Sequence, residues 1–134
     1  PILLTGGAAG TFVTELALDT PLTFEDAPAG GASVGSGAIV VFNNDVDLGE
    51  IVSRIAEFFS HESCGLCVPC RVGTVRQHEA VLRLTTRGGD VVSDLATVKE
   101  LGVVMRDTSM CGLGQAASTA VESAIALGLI GGDR

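Results

Sequence analysis

Four cysteines are the residues of this sequence whose type and spacing point to chemistry: Cys64, Cys67, Cys70 and Cys111. The first three are spaced C-x2-C-x2-C, and the fourth lies 41 residues further along the chain. Two residues between neighbouring cysteines let the backbone curl, so that successive sulfurs point towards a common centre. If a distant loop brings Cys111 to the same place, four thiolates can hold a metal ion or an iron–sulfur cluster.

Four cysteines in this pattern are compatible with three kinds of site. Disulfides are disfavoured because three cysteines within seven residues pair poorly and we expect no secretory signal at Pro1. Structural zinc sites usually take two ligands from each of two C-x2-C knuckles. A [4Fe-4S] cluster instead typically takes three cysteines from one loop and a fourth from a distant part of the sequence. The spacing therefore favours a single cluster bound by all four cysteines, with zinc and disulfides still open.

No other residues of the sequence form an evident catalytic arrangement. His61 and His78 are the only histidines, and with four cysteines available we expect both to have structural or surface roles. We find no Ser–His–Asp, Cys–His or paired-carboxylate pattern. Arg71 and Arg76 follow the cysteines, and we expect them to lie near the anionic cluster and stabilise it.

Composition excludes several classes of function. The net charge is −8, with 16 acidic and 8 basic residues, which argues against binding nucleic acid or an anionic membrane. The only lysine, Lys99, follows Val98, so there is no Walker A loop. No apolar run approaches the ~18 residues of a membrane span, and we expect no direct membrane insertion.

Four helices are predicted to position the cysteines, each from apolar residues at helical spacing. Their expected ranges are Asp47 to Ser60, Arg71 to Arg87 with Gly88-Gly89 ending it, Ser93 or Asp94 to Arg106, and Gln115 to Leu127. Asp47 and Glu50 have the spacing of a capping box. The cysteines then fall in the first and third connections, which can share one end of a small antiparallel bundle.

The first part of the chain has a different character. Ile2–Thr5 and Ala38–Phe42 are predicted strands, whereas Thr11–Leu18 is compatible with strand or helix. Residues 1–60 carry eight acids and one base, and all the cysteines lie beyond them. None of the glycine turns fits a dinucleotide-binding motif. We therefore predict an α+β chain with one region at 1–44 and a helical cluster-binding region at 45–134.

The string Glu62-Ser-Cys-Gly-Leu-Cys-Val-Pro-Cys-Arg-Val-Gly73, with Cys111-Gly-Leu-Gly-Gln115 downstream, resembles a known family. It is similar to the C-terminal part of the NADH-binding flavoprotein subunit of respiratory complex I. It also resembles the diaphorase subunits of NAD-dependent formate dehydrogenases and NAD-reducing hydrogenases. The glycine turns and strands of the first region resemble the later part of that family's soluble-ligand-binding β-grasp domain.

The resemblance implies an incomplete β-grasp segment followed by a four-helix bundle with one [4Fe-4S] cluster. It implies that Cys64, Cys67, Cys70 and Cys111 ligate this cluster, which takes electrons from a neighbouring FMN. FMN and NAD(H) would bind in a preceding domain or a partner, and other iron–sulfur subunits would complete the complex. Because the chain starts at Pro1 rather than Met, we expect it to be the tail of a larger flavoprotein on the cytoplasmic side.

The expected function is a one-electron relay in an NAD(P)H-dependent oxidoreductase, without activity of the chain alone. Two alternatives remain open on the sequence. One is an iron–sulfur module that senses redox state, and the other is an interaction domain stabilised by zinc.

Overall fold

Three short strands form the sheet of this α+β chain. The computed structural model describes residues 1–132, in which one antiparallel sheet has the order β2-β1-β3. The strands are β1 (Ile2–Thr5), β2 (Thr11–Thr14) and β3 (Ile39–Phe42). The predicted strand at Ile2–Thr5 is confirmed, and the second begins one residue later than predicted. The ambiguous Thr11–Leu18 segment divides into β2 and a 3-10 turn at Glu15–Ala17.

A single helical turn, α1 (Asp26–Ala29), covers one face of the sheet. Its fully buried Ala27 packs with Leu3 and Val13 in a small apolar cluster. The other face of the sheet is turned towards the long helices.

Helix α2 (Leu48–Glu62) confirms the first predicted helix and its N-cap. The Asp47 carboxylate accepts hydrogen bonds from the backbone N–H groups of Gly49 at 2.9 Å and Glu50 at 3.3 Å. The Glu50 side chain instead forms an ion pair with Arg54 at 2.6 Å. The helix continues two residues beyond Ser60, so it ends directly before the cysteine segment.

Helix α3 (Val68–Thr86) begins three residues earlier than predicted. Cys67 is its N-cap and Pro69 lies in the first turn, where a missing backbone N–H leaves no hydrogen bond unmade. The helix ends one residue before the predicted Arg87, and the N–H of Gly88 donates to the carbonyl of Arg83 at 3.1 Å. Arg87 takes the left-handed conformation, with φ 54°, and its N–H donates to the carbonyl of Arg83.

Helix α4 (Val91–Thr108) is longer at both ends than predicted. It starts earlier because Asp90 rather than Ser93 or Asp94 is the N-cap, and it ends two residues after the predicted Arg106. The Asp90 carboxylate accepts from the N–H of Val92 at 3.1 Å. Asp94 is buried and pairs with Arg83, with Nη2 and Oδ1 2.6 Å apart. This ion pair joins the start of α4 to the end of α3.

The predicted fourth helix is two helices, α5 (Gly112–Ala116) and α6 (Thr119–Ala126). At the break, Nε2 of Gln77 in α3 donates to the carbonyl of Ala117 at 2.9 Å, in a buried position. In a continuous helix that carbonyl would accept from the backbone four residues on. The described residues after 44 therefore hold five helices, a correction to the four predicted.

The sheet and the helices share one apolar core. Leu4 and Phe12 of the sheet pack with Val52 and Phe59 of α2 and with Val121 of α6. All three strands lie before residue 44 and all helices longer than one turn lie after it, within residues 1–132. The division into 1–44 and 45–134 and the β-grasp assignment stay predictions. None of the helices described is both long and apolar enough to cross a membrane.

Candidate metal centre

The four cysteines lie on two segments that connect helices. Cys64 is in the α2–α3 connection, Cys67 is the N-cap of α3, and Cys70 lies in the first turn of that helix. Cys111 is the N-cap of α5. The prediction that all of the first three are loop residues is therefore wrong for Cys70, because α3 begins early enough to include it.

One cavity of about 330 Å³ is lined by all four cysteines. The other residues that line it are Glu62, Ser63, Leu66, Met110 and Leu113. None of the cysteines is in a disulfide. Among residues 1–132, no three His, Cys, Asp or Glu side chains form a group that could hold a metal ion. The sulfurs thus surround a space and do not converge on one point.

The two cysteine segments approach closely because of Gly114. A Cβ atom built on Gly114 would lie 2.9 Å from the Cβ of Cys70, and closer still to the Ser109 side chain. A second close approach lies one turn along α3, where a Cβ on Gly73 would lie 2.6 Å from Met105 of α4. Glycine at these two positions lets α4 and α5 pack against the start of α3.

The segment around Cys64 takes its shape from local contacts. Gly65 has φ +75°, a left-handed conformation that a side chain would strain. The N–H of Gly65 donates to Ser63 Oγ at 3.3 Å. Its carbonyl accepts from Nη1 of the exposed Arg71 at 3.0 Å. These bonds fold Cys64 back towards the start of α3.

Backbone hydrogen bonds favour the ionised form of one cysteine. Donation from the Met110 N–H, with a further contribution from the Cys70 N–H, lowers the pKa of the Cys67 thiol. Thiolate is the form that binds metal. Because Met110 neighbours Cys111, one cysteine segment thereby promotes ionisation of a thiol in the other.

Serine hydroxyls next to the cysteines are features that the sequence reasoning missed. The thiol of Cys70 donates to Ser63 Oγ at 3.3 Å. Ser109 is 6% exposed, and its side chain makes a minor contribution to the lowered pKa of the Cys67 thiol. Their positions, one residue before Cys64 and two before Cys111, were the available signal.

Of the two arginines expected near the cluster, only Arg71 contacts the segment that carries the first three cysteines. Arg71 lies at the cysteine segment through its bond to Gly65. Arg76 is instead paired with Glu79 on the surface of α3, at 2.8 Å. His61 is exposed in the last turn of α2. Neither His61 nor His78 is among the described residues that line the cavity.

Comparison with known proteins agrees with this arrangement. The family described as the NADH-ubiquinone oxidoreductase-F iron-sulfur binding region matches residues 50–127. This chain belongs to that family. The matched range contains α3, α4 and all four cysteines, which confirms the resemblance drawn from the motif around Cys64.

The iron–sulfur binding region has relatives of two kinds. It is 35% identical to NADP-reducing hydrogenase subunit HndC of Solidesulfovibrio fructosivorans, over 83% of this chain and 22% of that protein. It is 34% identical to an NADH-quinone oxidoreductase subunit of Mycobacterium bovis, over 90% of this chain and 27% of that protein.

A solved structure has a similar fold. An NAD+-reducing [NiFe]-hydrogenase in the H2-reduced state matches 93% of this chain and 21% of its own, with a TM-score of 0.81 and 35% identity. The chain thus spans between a fifth and about a quarter of the length of these relatives.

Proposed function

We propose that the four cysteines bind one [4Fe-4S] cluster, which relays single electrons between an FMN and further iron–sulfur centres of an NAD(P)-linked oxidoreductase. The observation that carries the proposal is the single cavity lined by Cys64, Cys67, Cys70 and Cys111. Membership of a family of iron–sulfur binding regions supports it. The cluster supplies a one-electron couple, and the chain supplies its ligands, burial and position.

The cavity fits a cluster better than a single ion. A zinc ion needs every sulfur about 2.3 Å from one point, and within residues 1–132 no three potential ligand side chains are grouped in that way. Thiolates are soft ligands that suit iron–sulfur clusters. Leu66 and Leu113 add apolar surface to the lining, and such a shell limits the access of water and influences the potential.

The residues of this chain hold the ligands in two states of exposure. Cys70 is buried and held by α3, whereas Cys64 and Cys111 are exposed. Electron transfer to a partner needs one edge of the cluster near the surface, and the exposed pair provides that edge. We infer that a unit binding FMN and NAD(H) and further iron–sulfur subunits pack nearby, on the cytoplasmic side. The names of the relatives favour the NAD(P)(H) part of this inference.

Redox sensing is the second candidate function. The exposure of Cys64 and Cys111 favours it, because a cluster with exposed ligands is open to oxidants. A sensor is expected to lose its cluster rapidly and reversibly in air and to change a partner's output. A relay is expected to cycle between two oxidation states without loss of iron.

Metal and sulfide analysis of the chain purified without oxygen tests the proposal. We expect about four iron and four sulfide per chain, with an EPR signal on one-electron reduction. About one zinc and no sulfide would contradict the proposal and support an interaction domain stabilised by zinc. His61→Asn is the matched control, because His61 lies near the cysteines in sequence and outside the cavity lining described. It should leave the iron content unchanged.

A further inference from the structure

A serine hydroxyl lies against the most buried cysteine of the candidate site. Ser63 follows α2 directly, and its Oγ lies 3.3 Å from the Sγ of Cys70. Cys70 is 5% exposed, whereas the other three cysteines are exposed or intermediate. The contact therefore lies where water competes least for the sulfur, and a hydrogen bond there has its greatest electrostatic effect.

Ligation would reverse the direction of this hydrogen bond. While Cys70 keeps its proton, the thiol donates to the Ser63 oxygen. A cysteine bound to iron has no proton, so only the hydroxyl can then donate. Ser63 Oγ also accepts from the N–H of Gly65 at 3.3 Å, which leaves the hydroxyl proton available for the sulfur.

We propose that Ser63 is a positioning residue whose hydroxyl donates to Cys70 Sγ and thereby raises the reduction potential of the cluster. This inference rests on the proposed function. Reduction adds one electron, and therefore negative charge, to the cluster and its thiolates. A donor aimed at a thiolate stabilises the reduced form more than the oxidised form. Hydrogen bonds to the sulfurs are one of the means by which proteins set these potentials.

The test compares three variants of the 134-residue chain with wild type after purification without oxygen. Ser63→Ala removes the hydroxyl, and Ser63→Thr retains it on an extended backbone that tolerates a branched residue. Ser118→Ala is the matched control, because Ser118 is buried with an unpartnered Oγ and is not among the described residues that line the cavity. Iron and sulfide are counted, and the midpoint potential is measured by redox titration with EPR.

We expect Ser63→Ala to keep its iron and sulfide. At the wild-type midpoint, the ratio of reduced to oxidised cluster should fall about tenfold, which corresponds to a midpoint about 59 mV lower for a one-electron couple. Ser63→Thr should restore most of this shift, and Ser118→Ala should show none. A purely structural role for Ser63 would change cluster content and leave the potential alone.

Three results would overturn the proposal: a Ser63→Ala cluster with the wild-type potential, a Ser63→Thr cluster as low as that of Ser63→Ala, or loss of the cluster in Ser63→Ala alone. The last would show that Ser63 acts on cluster binding and not on the potential. Failure of the proposed function is distinguishable, because the wild-type chain would then contain no sulfide and have no potential to compare.

Discussion

The two segments that carry the cysteines are built in different ways. The first segment, residues 63–70, carries three cysteines and is shaped by bonds between near neighbours, such as those of Gly65 with Ser63 and Arg71. The second segment, residues 109–114, carries one cysteine and is seated by Gly114 against Cys70. Short-range geometry thus organises most of the site, whereas its completion depends on long-range packing.

Removal of Cys111, the only cysteine of the second segment, should have the largest effect on the iron and sulfide content. We expect Cys111→Ser to lose more than half of the iron and sulfide, because a serine oxygen is a harder, poorer ligand for an iron–sulfur cluster. Iron and sulfide per chain, measured without oxygen, check it. Asp107→Asn, at an exposed position of α4 outside the cavity lining described, is the control and should keep its cluster. A complete cluster in Cys111→Ser would show that the first segment suffices without this ligand.

Separation of the two segments should have the next largest effect. In Gly114→Ala the new methyl group would meet Cys70 at 2.9 Å and the side chain of Ser109. We expect a loss of about 1–3 kcal/mol in the free energy of unfolding and reduced iron content. Gly112→Ala is the matched control, since a Cβ there would meet no atom within 4 Å. The free energy of unfolding is measured with denaturant, and the iron content by metal analysis. Equal values for the two variants would contradict the role given to Gly114.

Loss of the hydrogen bond between Gln77 and Ala117, at the break between α5 and α6, should have a smaller effect. Gln77→Leu removes the donor to the Ala117 carbonyl, and with it the partner of a buried backbone group. We expect the free energy of unfolding to fall by about 1–2 kcal/mol. The exposed substitution Glu100→Gln should change it by less than about 0.5 kcal/mol. A urea midpoint for Gln77→Leu equal to that of wild type would mean that the break between α5 and α6 does not depend on this bond.

The smallest effect is expected in the first segment. Arg71→Ala removes one exposed hydrogen bond to Gly65. We expect it to lower the free energy of unfolding by less than about 1 kcal/mol. The reduced form should nevertheless lose its cluster faster in air, because Cys64 is then less well held. Arg76→Ala, which breaks only the surface pair with Glu79, is the control. Cluster loss is followed by visible absorbance. Equal rates in Arg71→Ala and Arg76→Ala would show that Arg71 does not help to hold the cluster.

The parts of the fold that the sequence predicts well depend on neighbouring residues. Helix α2 follows from its apolar spacing and from Asp47, whose capping bonds reach residues two and three positions away. Strand β1 follows from a short apolar run bounded by glycine. The start of α3 also has a local signal, because Pro69 is well suited to the first turn of a helix. Placing Cys70 in a loop overlooks that signal.

The differences from the predictions concern one contact between distant residues and two bonds between near neighbours in α3 and at its end. Where the predicted fourth helix divides, Gln77 bonds the carbonyl of Ala117, 40 positions away. At the end of α3, Arg87 rather than a glycine takes the left-handed conformation, and Gly88 donates to the Arg83 carbonyl. The pairing of Arg76 with Glu79 keeps Arg76 away from the site. Helical periodicity contains no information about which side chain will bond to which carbonyl.

The sequence by itself determined which residues are the candidate ligands, the spacing of three cysteines on one segment, and the helices on either side of them. These properties depend on side-chain chemistry and on backbone preferences over a few residues. The tertiary structure decided that Cys111 lines the same cavity as the other three, and that Ser63 lies against Cys70. Close approach of α5 to α3 at Gly114 is a property of packed surfaces, which only the folded chain brings together.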